Sequence, residues 1–390
     1  MKRKNYYSDD EWHRVLEFTE SLPTPFIVIN LARVRKQYEE LASYFPGSQI
    51  YYSVKANPAL EVNALLHQLG SHFDIASIYE MDKLLSLGVP TERMLYGNTI
   101  KKASDIEYAY RKGIKLFATD CLSDLENIAA HAPGSRFFVR ILVQGEDTAD
   151  WPLSRKFGCS ATNALPLLKK ALKLGLKPYG ISFHVGSQQR DVCQWNEALT
   201  TVAQIFSLAR KRGISLEMVN MGGGFPADYV NKTPSIKEYA SEIQCYLSES
   251  FNGQMPKIIL EPGRSLVGNA GILVSEIITV AKKSHSDKHR WVYLDAGKFN
   301  GLIETMSEGI KYPVVMAEES EKNRVGKVIL AGPTCDSVDI MYEKTSYKLP
   351  LDISPGERLY WLSAGAYTSS YASVEFNGFP PIKSYFMDMQ

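Results

Sequence analysis

The sequence predicts an α/β protein: a (β/α)8 barrel over residues 26–265, then a mostly antiparallel β domain over residues 266–390. Three observations carry this reading. Eight short β-branched or aromatic runs alternate with amphipathic stretches at intervals of roughly 20 to 40 residues, the rhythm of repeated βα units. Several of those stretches end at a glycine, as helices do. Beyond about residue 265 the long helical stretches stop while strand-like runs continue.

Taken in order, the first 25 residues open on a polar, charged segment and are expected to join the β domain. The barrel strands are predicted at Gln49–Val54, Phe73–Ala76, Met94–Gly97, Lys115–Thr119, Phe137–Val143, Tyr179–Phe183, Leu216–Met221 and Lys257–Leu260. Helices are predicted over Ala59–Leu69, Tyr79–Leu87, Asn163–Leu174, Trp195–Arg212 and Ile236–Glu249, with stops at Gly70, Gly88, Gly175 and Gly213. Eight βα units favour a closed barrel over an open doubly wound sheet. The β domain is read from Ile272–Val280, Trp291–Leu294, Gly326–Ala331 and Arg358–Ser363. A chain of 390 residues is long enough for two such domains.

Composition removes several classes of function. The 44 basic and 43 acidic residues leave a net charge of +1 with no long basic run, so no nucleic-acid partner is expected. Five scattered cysteines (Cys121, Cys159, Cys193, Cys245, Cys335) without a CxxC pair argue against a disulfide scaffold and against a metal site. They fit a reducing cytoplasm. No signal segment or apolar run of about 20 residues is present, so no membrane association is expected.

Barrel active sites form just past the C-terminal ends of the strands. There the sequence places Lys55, Asp74, Arg140, His184, the Gly222-Gly223-Gly224 turn, and Glu261 with Arg264. Lys55, in Tyr51-Tyr52-Ser53-Val54-Lys55-Ala56-Asn57-Pro58, ends an apolar strand, where an ammonium group gives up its proton more readily. The neutral amine condenses with an aldehyde to a Schiff base. The glycine turn lets backbone N–H groups approach a phosphate, with Arg264 and Ser187 adding charge and a hydroxyl. Glu261 suits a protonated pyridine nitrogen and His184 a flat ring. Each residue alone has a plainer reading: a surface lysine, a flexible loop, a Glu261–Arg264 ion pair, a structural histidine. Together they describe a phosphate-bearing, electron-withdrawing cofactor, pyridoxal 5'-phosphate. Further on, Gly332-Pro333-Thr334-Cys335-Asp336 pairs a thiol with a carboxylate, and Gly365-Ala366-Tyr367 opens a small-residue run. Either also reads as a plain turn.

Six segments now stand in order: Tyr52–Pro58, Phe183–Gln188, Gly222–Pro226, Glu261–Arg264, Gly332–Asp336 and Gly365–Tyr367. In that set the chain resembles the barrel-type (fold type III) pyridoxal-phosphate basic amino acid decarboxylases, most of all the bacterial ornithine and lysine decarboxylases. The resemblance spans nearly the whole chain and implies an alanine-racemase-like arrangement of barrel and β domain. It implies that Lys55 carries the cofactor, that Glu261 pairs with the pyridine nitrogen and that His184 stacks on the ring. Ser187, Gly222, Gly223, Gly224, Arg264 and Tyr367 would hold the phosphate, with Asp74, Arg140 and Gly263 completing the pocket. Cys335 and Asp336 would cross from the partner subunit of a homodimer, the thiol as proton donor to Cα and the carboxylate as partner of the substrate's distal amine. Glu308 lies near the family's second carboxylate for that amine. The implied reaction is decarboxylation of ornithine or lysine to putrescine or cadaverine, in polyamine biosynthesis. Alternatives kept open are a decarboxylase of a larger conjugated or diaminopimelate-like substrate, a racemase, and an inactive regulatory homologue.

Overall fold

In the computed structural model, which describes residues 2–144, 148–152, 156–231, 233–318 and 324–388, the eight predicted runs are the eight strands of a closed parallel barrel. They are Gln49–Ser53, His72–Ile75, Met94–Tyr96, Leu116–Thr119, Arg136–Arg140, Lys177–Ser182, Met218–Asn220 and Lys257–Leu260. The barrel closes where Ile259 and Leu260 pair with Gln49 and Ile50. Tyr51, Leu95, Leu116, Ala118, Phe138, Tyr179, Met218 and Ile259 form one buried cluster drawn from seven strands, so the barrel is filled with side chains rather than open. Helices between strands pack on the outside, and glycines 70, 88, 175 and 213 that end four of them have φ between 73° and 89°. A left-handed residue there satisfies the last helical carbonyls at little steric cost only when it is glycine.

The chain divides into two units. One is Arg35–Pro226 with Pro234–Gly263, the barrel; the other is Met1–Val34, Ala227–Thr233 and Arg264–Gln390. The boundary expected at residue 26 therefore moves to residue 35. Phe26–Asn30 is a strand of the second unit, antiparallel to Gly271–Ala281 and parallel to Lys383–Met387. All five of its residues are buried, which suits a central strand of either architecture.

The second unit is built on an eight-stranded sheet. Gly271–Ala281 pairs antiparallel with Arg358–Leu362 and with Arg290–Leu294, and Val325–Ala331 pairs antiparallel with Ile340–Pro350. The pairing of Arg290–Leu294 with Val325–Ala331 is parallel. Ser8 caps helix Asp9–Thr19, and this helix adds Trp12 and Val15 to a core with Phe26, Val28, Ile272, Val274, Tyr360 and Leu362. Trp12 meets the Tyr360 ring edge-on with centroids 5.0 Å apart.

Candidate cofactor and catalytic site

Six of the predicted groups meet at the C-terminal rim of the barrel. Lys55 follows the first strand in a short 3-10 turn, half-exposed, with its Nζ 3.8 Å from the buried carboxylate of Asp74. Asp74 is held from the side by the Ser53 hydroxyl at 3.0 Å, and that hydroxyl also lies 3.2 Å from the Glu261 carbonyl. Gly97, just past the third strand, is required here, because a Cβ would lie 2.0 Å from an Asp74 oxygen.

Glu261 is partly buried, and its carboxylate accepts a hydrogen bond from the Asn220 amide at 2.5 Å. The other end of that amide accepts from the Gly222 N–H at 2.9 Å, so one side chain ties Glu261 to the glycine turn. Burial raises the Glu261 pKa, the Asp74 charge raises it further, and Lys55 and Arg140 oppose the shift. Burial also lowers Arg140, against the pull of Glu261, Asp74 and Asp120. His184 is partly buried. Its Nδ1 accepts the Gly186 N–H at 3.1 Å, and burial followed by the Arg140 and Lys55 charges holds its pKa well below the usual imidazole value. The ring is therefore a neutral, fixed plane.

The glycine turn is a tight cradle. Gly222 and Gly224 have φ of 64° and 99°, and added Cβ atoms would lie 2.3 Å from the Phe183 carbonyl and 2.7 Å from the Gly186 carbonyl. A Cβ on Gly223 would come within 2.8 Å of the Glu261 carbonyl and 3.3 Å of His184 Nε2. The Gly224 carbonyl accepts from the Gln189 N–H at 3.0 Å, which lays the Ser187 segment beside the turn. Gly263 packs on the end of the first strand and the turn after it, where a Cβ would lie 3.3 Å from that of Ser53 and 2.9 Å from that of Ala56.

The remaining predicted residues belong to the second unit. Arg264 is enclosed: its two terminal nitrogens bond both oxygens of Glu304 at 2.8 and 2.6 Å, and one of them also bonds the Tyr229 hydroxyl at 2.8 Å. Its guanidinium lies 4.8 Å from the Tyr367 ring centroid. The carboxylate that pairs with Arg264 is thus Glu304. Cys335 and Asp336 are exposed, the Cys335 N–H bonded to the Asn377 side chain at 3.0 Å and an Asp336 oxygen to the Val338 N–H at 2.9 Å. Glu308 is engaged within its own unit. Its carboxylate accepts from the backbone N–H groups of Glu343, Lys344 and Thr345 and from the Thr345 hydroxyl, at 2.5 to 2.8 Å. Four donors on strand Ile340–Pro350 engage both its oxygens, so it anchors its loop.

Sequence reasoning missed Ser53, Asn220 and Glu80 on the barrel side. Asn220 had a readable signal, a polar side chain closing an apolar strand two residues before the glycine turn. Glu80 accepts the Ala76 N–H at 2.7 Å, and burial with the Asp74 charge pushes its pKa up to about 7. Among the described residues, no group of three His, Cys, Asp or Glu is placed to hold a metal ion.

The parts present fit a pyridoxal phosphate. An amine stands at the rim beside a carboxylate, a partly buried carboxyl and a neutral imidazole feel its charge, and a glycine turn that tolerates no side chain presents backbone N–H groups for an anion. Fold and site thus define a barrel that binds a pyridoxal cofactor. Comparison with known proteins agrees. The family described as pyridoxal-dependent decarboxylase, pyridoxal binding domain, matches residues 31–268. The lysine/ornithine decarboxylase of Selenomonas ruminantium is 32% identical over 371 residues, 94% of this chain and 90% of that protein. The ornithine decarboxylase of Schizosaccharomyces pombe is 32% identical over 372 residues, 93% of this chain and 83% of that one. The crystal structure of lysine/ornithine decarboxylase from Vibrio vulnificus complexed with putrescine superposes with a TM-score of 0.86 at 28% identity, covering 97% of this chain and 99% of that chain. This chain belongs to the pyridoxal-dependent decarboxylases.

Proposed function

We propose that the protein is a carboxy-lyase that removes the α-carboxylate of ornithine or lysine and releases putrescine or cadaverine. The observation that carries this is the Lys55 amine 3.8 Å from Asp74 on a rim that also holds Glu261 and His184. Pyridoxal phosphate bound there supplies an aldehyde for amines and a ring that accepts the electron pair left when carbon dioxide departs.

The protein's own groups do the rest. Lys55 presents the amine, and Asp74 holds it at the rim. His184, neutral and fixed through Nδ1, offers a flat face without adding charge. Glu261 has a raised proton affinity and is held by Asn220, which suits it to share a proton with a ring nitrogen and keep that nitrogen cationic. Ser187 and the N–H groups of Gly223 and Gly224 hold the phosphate, with Arg140 and Gly263 shaping the pocket. Cys335 returns a proton to Cα, so each turnover consumes one proton and yields one amine and one carbon dioxide. Asp336 pairs with the distal ammonium of the substrate.

Cys335 and Asp336 are exposed in the single chain, in loops that also expose Val338, Tyr371, Val374 and Phe376. That surface supports a homodimer in which a second copy receives the thiol and carboxylate. Charge balance and scattered cysteines suit a cytoplasmic enzyme. Among the described residues, no helix is long and apolar enough to cross a membrane. Ornithine and lysine differ by one methylene, which an apolar pocket discriminates by only about 1–3 kcal/mol, so both are substrates in this reading.

One observation favours a second reading. Glu308 is engaged by strand Ile340–Pro350, which removes one acidic partner for a free distal amine and suits a substrate whose distal nitrogen is conjugated. Replacing Lys55 tests the proposal at its centre: Lys55→Ala loses the visible absorbance of the lysine-linked cofactor and nearly all carbon dioxide release. A variant that keeps both refutes it.

A further inference from the structure

We propose that Asp339 is a positioning residue for Cys335: its buried carboxylate fixes the loop from which the thiol delivers its proton. This rests on the reading of Cys335 as the proton donor. Asp339, 2% exposed, stands just before strand Ile340–Pro350. One carboxylate oxygen accepts from the Thr334 hydroxyl at 2.7 Å and the Thr334 N–H at 3.2 Å. The other accepts from the Lys298 N–H at 2.7 Å. Its backbone closes the same loop from both sides. The Asp339 carbonyl accepts from the Gly332 N–H at 2.8 Å, and its N–H donates to the Asp336 carbonyl at 3.1 Å. One residue thus holds the Gly332–Asp336 loop at its start, its middle and its end.

The two chains that pass the carboxylate are shaped to it. A Cβ on Gly297 would lie 2.3 Å from one Asp339 oxygen, and a Cβ on Gly332 would lie 2.3 Å from the other. The Lys298 ammonium attracts the carboxylate as well. Cys335, by contrast, is exposed and bonded through its N–H to the Asn377 side chain. Its direction is set by the backbone on which it sits, and Thr334, the residue before it, is the one Asp339 grips twice. Placement matters for a proton donor, since a shift of about 1 Å costs up to a hundredfold in rate.

Misplacement has a chemical signature. A proton delivered to Cα yields one amine per carbon dioxide and leaves the cofactor as its aldehyde. A proton delivered instead to the cofactor's aldehyde carbon leaves the substrate nitrogen on the cofactor. That outcome frees Lys55 and, with one water consumed in hydrolysis, yields one substrate aldehyde and one cofactor amine per carbon dioxide. The ratio of amine to carbon dioxide therefore reports where the proton went.

The experiment measures that ratio in holoenzyme with ornithine and lysine, for Asp339→Asn, Thr334→Val and Cys335→Ala. Asn keeps the size of Asp339 but turns an NH2 toward a donor, so D339N is expected to lower kcat on the order of ten- to a hundredfold and to bring the ratio below one. T334V is expected to show the same drift, smaller, and it decides the matter if D339N does not fold. A general loss of folded protein lowers turnover without moving the ratio. A ratio of one in D339N or T334V while C335A falls overturns the inference alone. A ratio of one in C335A overturns the reading of the thiol as proton donor, and the inference with it.

Discussion

Replacing Glu304 by Gln is expected to be among the most destabilising single changes in the second unit. Arg264 and Glu304 are 3% and 2% exposed, and both carboxylate oxygens face guanidinium nitrogens at 2.6 and 2.8 Å. Gln keeps the shape but sets an NH2 against a guanidinium N–H and removes the negative charge that neutralises the buried Arg264. Removing one partner of such a pair costs about 3–5 kcal/mol, a factor of about 10² to 10⁴ in the folding equilibrium. Urea unfolding of the cofactor-free protein reads this as a lower midpoint with an unchanged slope. Replacing both residues by Met removes the unpaired charge as well, and the double variant should recover at least half of the loss, because apolar replacements of buried pairs are often neutral. A loss below about 1 kcal/mol in E304Q, the level of a surface ion pair, refutes the reasoning.

His184 sets a pH dependence. Its folded pKa lies below the unfolded 6.5, so the unfolded chain takes up a proton that the native site excludes, and stability is lost as pH falls through 6.5. Between pH 6.5 and 5.5 the parent should lose about 1 kcal/mol more than His184→Phe; equal losses contradict a neutral ring. Glu80 works in the opposite sense but is common to both proteins, so the comparison isolates the imidazole. For the dimer, sedimentation with activity on serial dilution should show specific activity falling as monomer forms. Full activity in a true monomer removes the shared-site proposal.

Much of the barrel was legible because its strands are short, largely buried apolar runs, and because glycines with φ near 80° mark several helix ends. Chemistry at the rim was legible for the same reason. A lysine or glutamate directly after a buried run lies where the strand leaves the barrel, and a charge held there needs a partner or a ligand. Phe26–Asn30 was misplaced because five buried residues look alike in a barrel and in a sheet, and its partners lie at Gly271–Val274 and Lys383–Met387, far along the chain. Val314–Met316 and Ile340–Pro350 were not anticipated; the second alternates with lysines and a glutamate and hides its pairing face. Glu304 and Glu308 sit in one irregular turn with no period to read. Only the fold shows that one meets an arginine 40 positions earlier in the chain while the other caps backbone N–H groups.

Carbon dioxide release with amine identification tests the central claim most directly, using holoenzyme and ornithine, lysine, arginine or meso-diaminopimelate supplied separately. The account predicts putrescine from ornithine and cadaverine from lysine, each equimolar with carbon dioxide. No release from any of the four, with the cofactor bound at Lys55, contradicts the assignment to free basic amino acids.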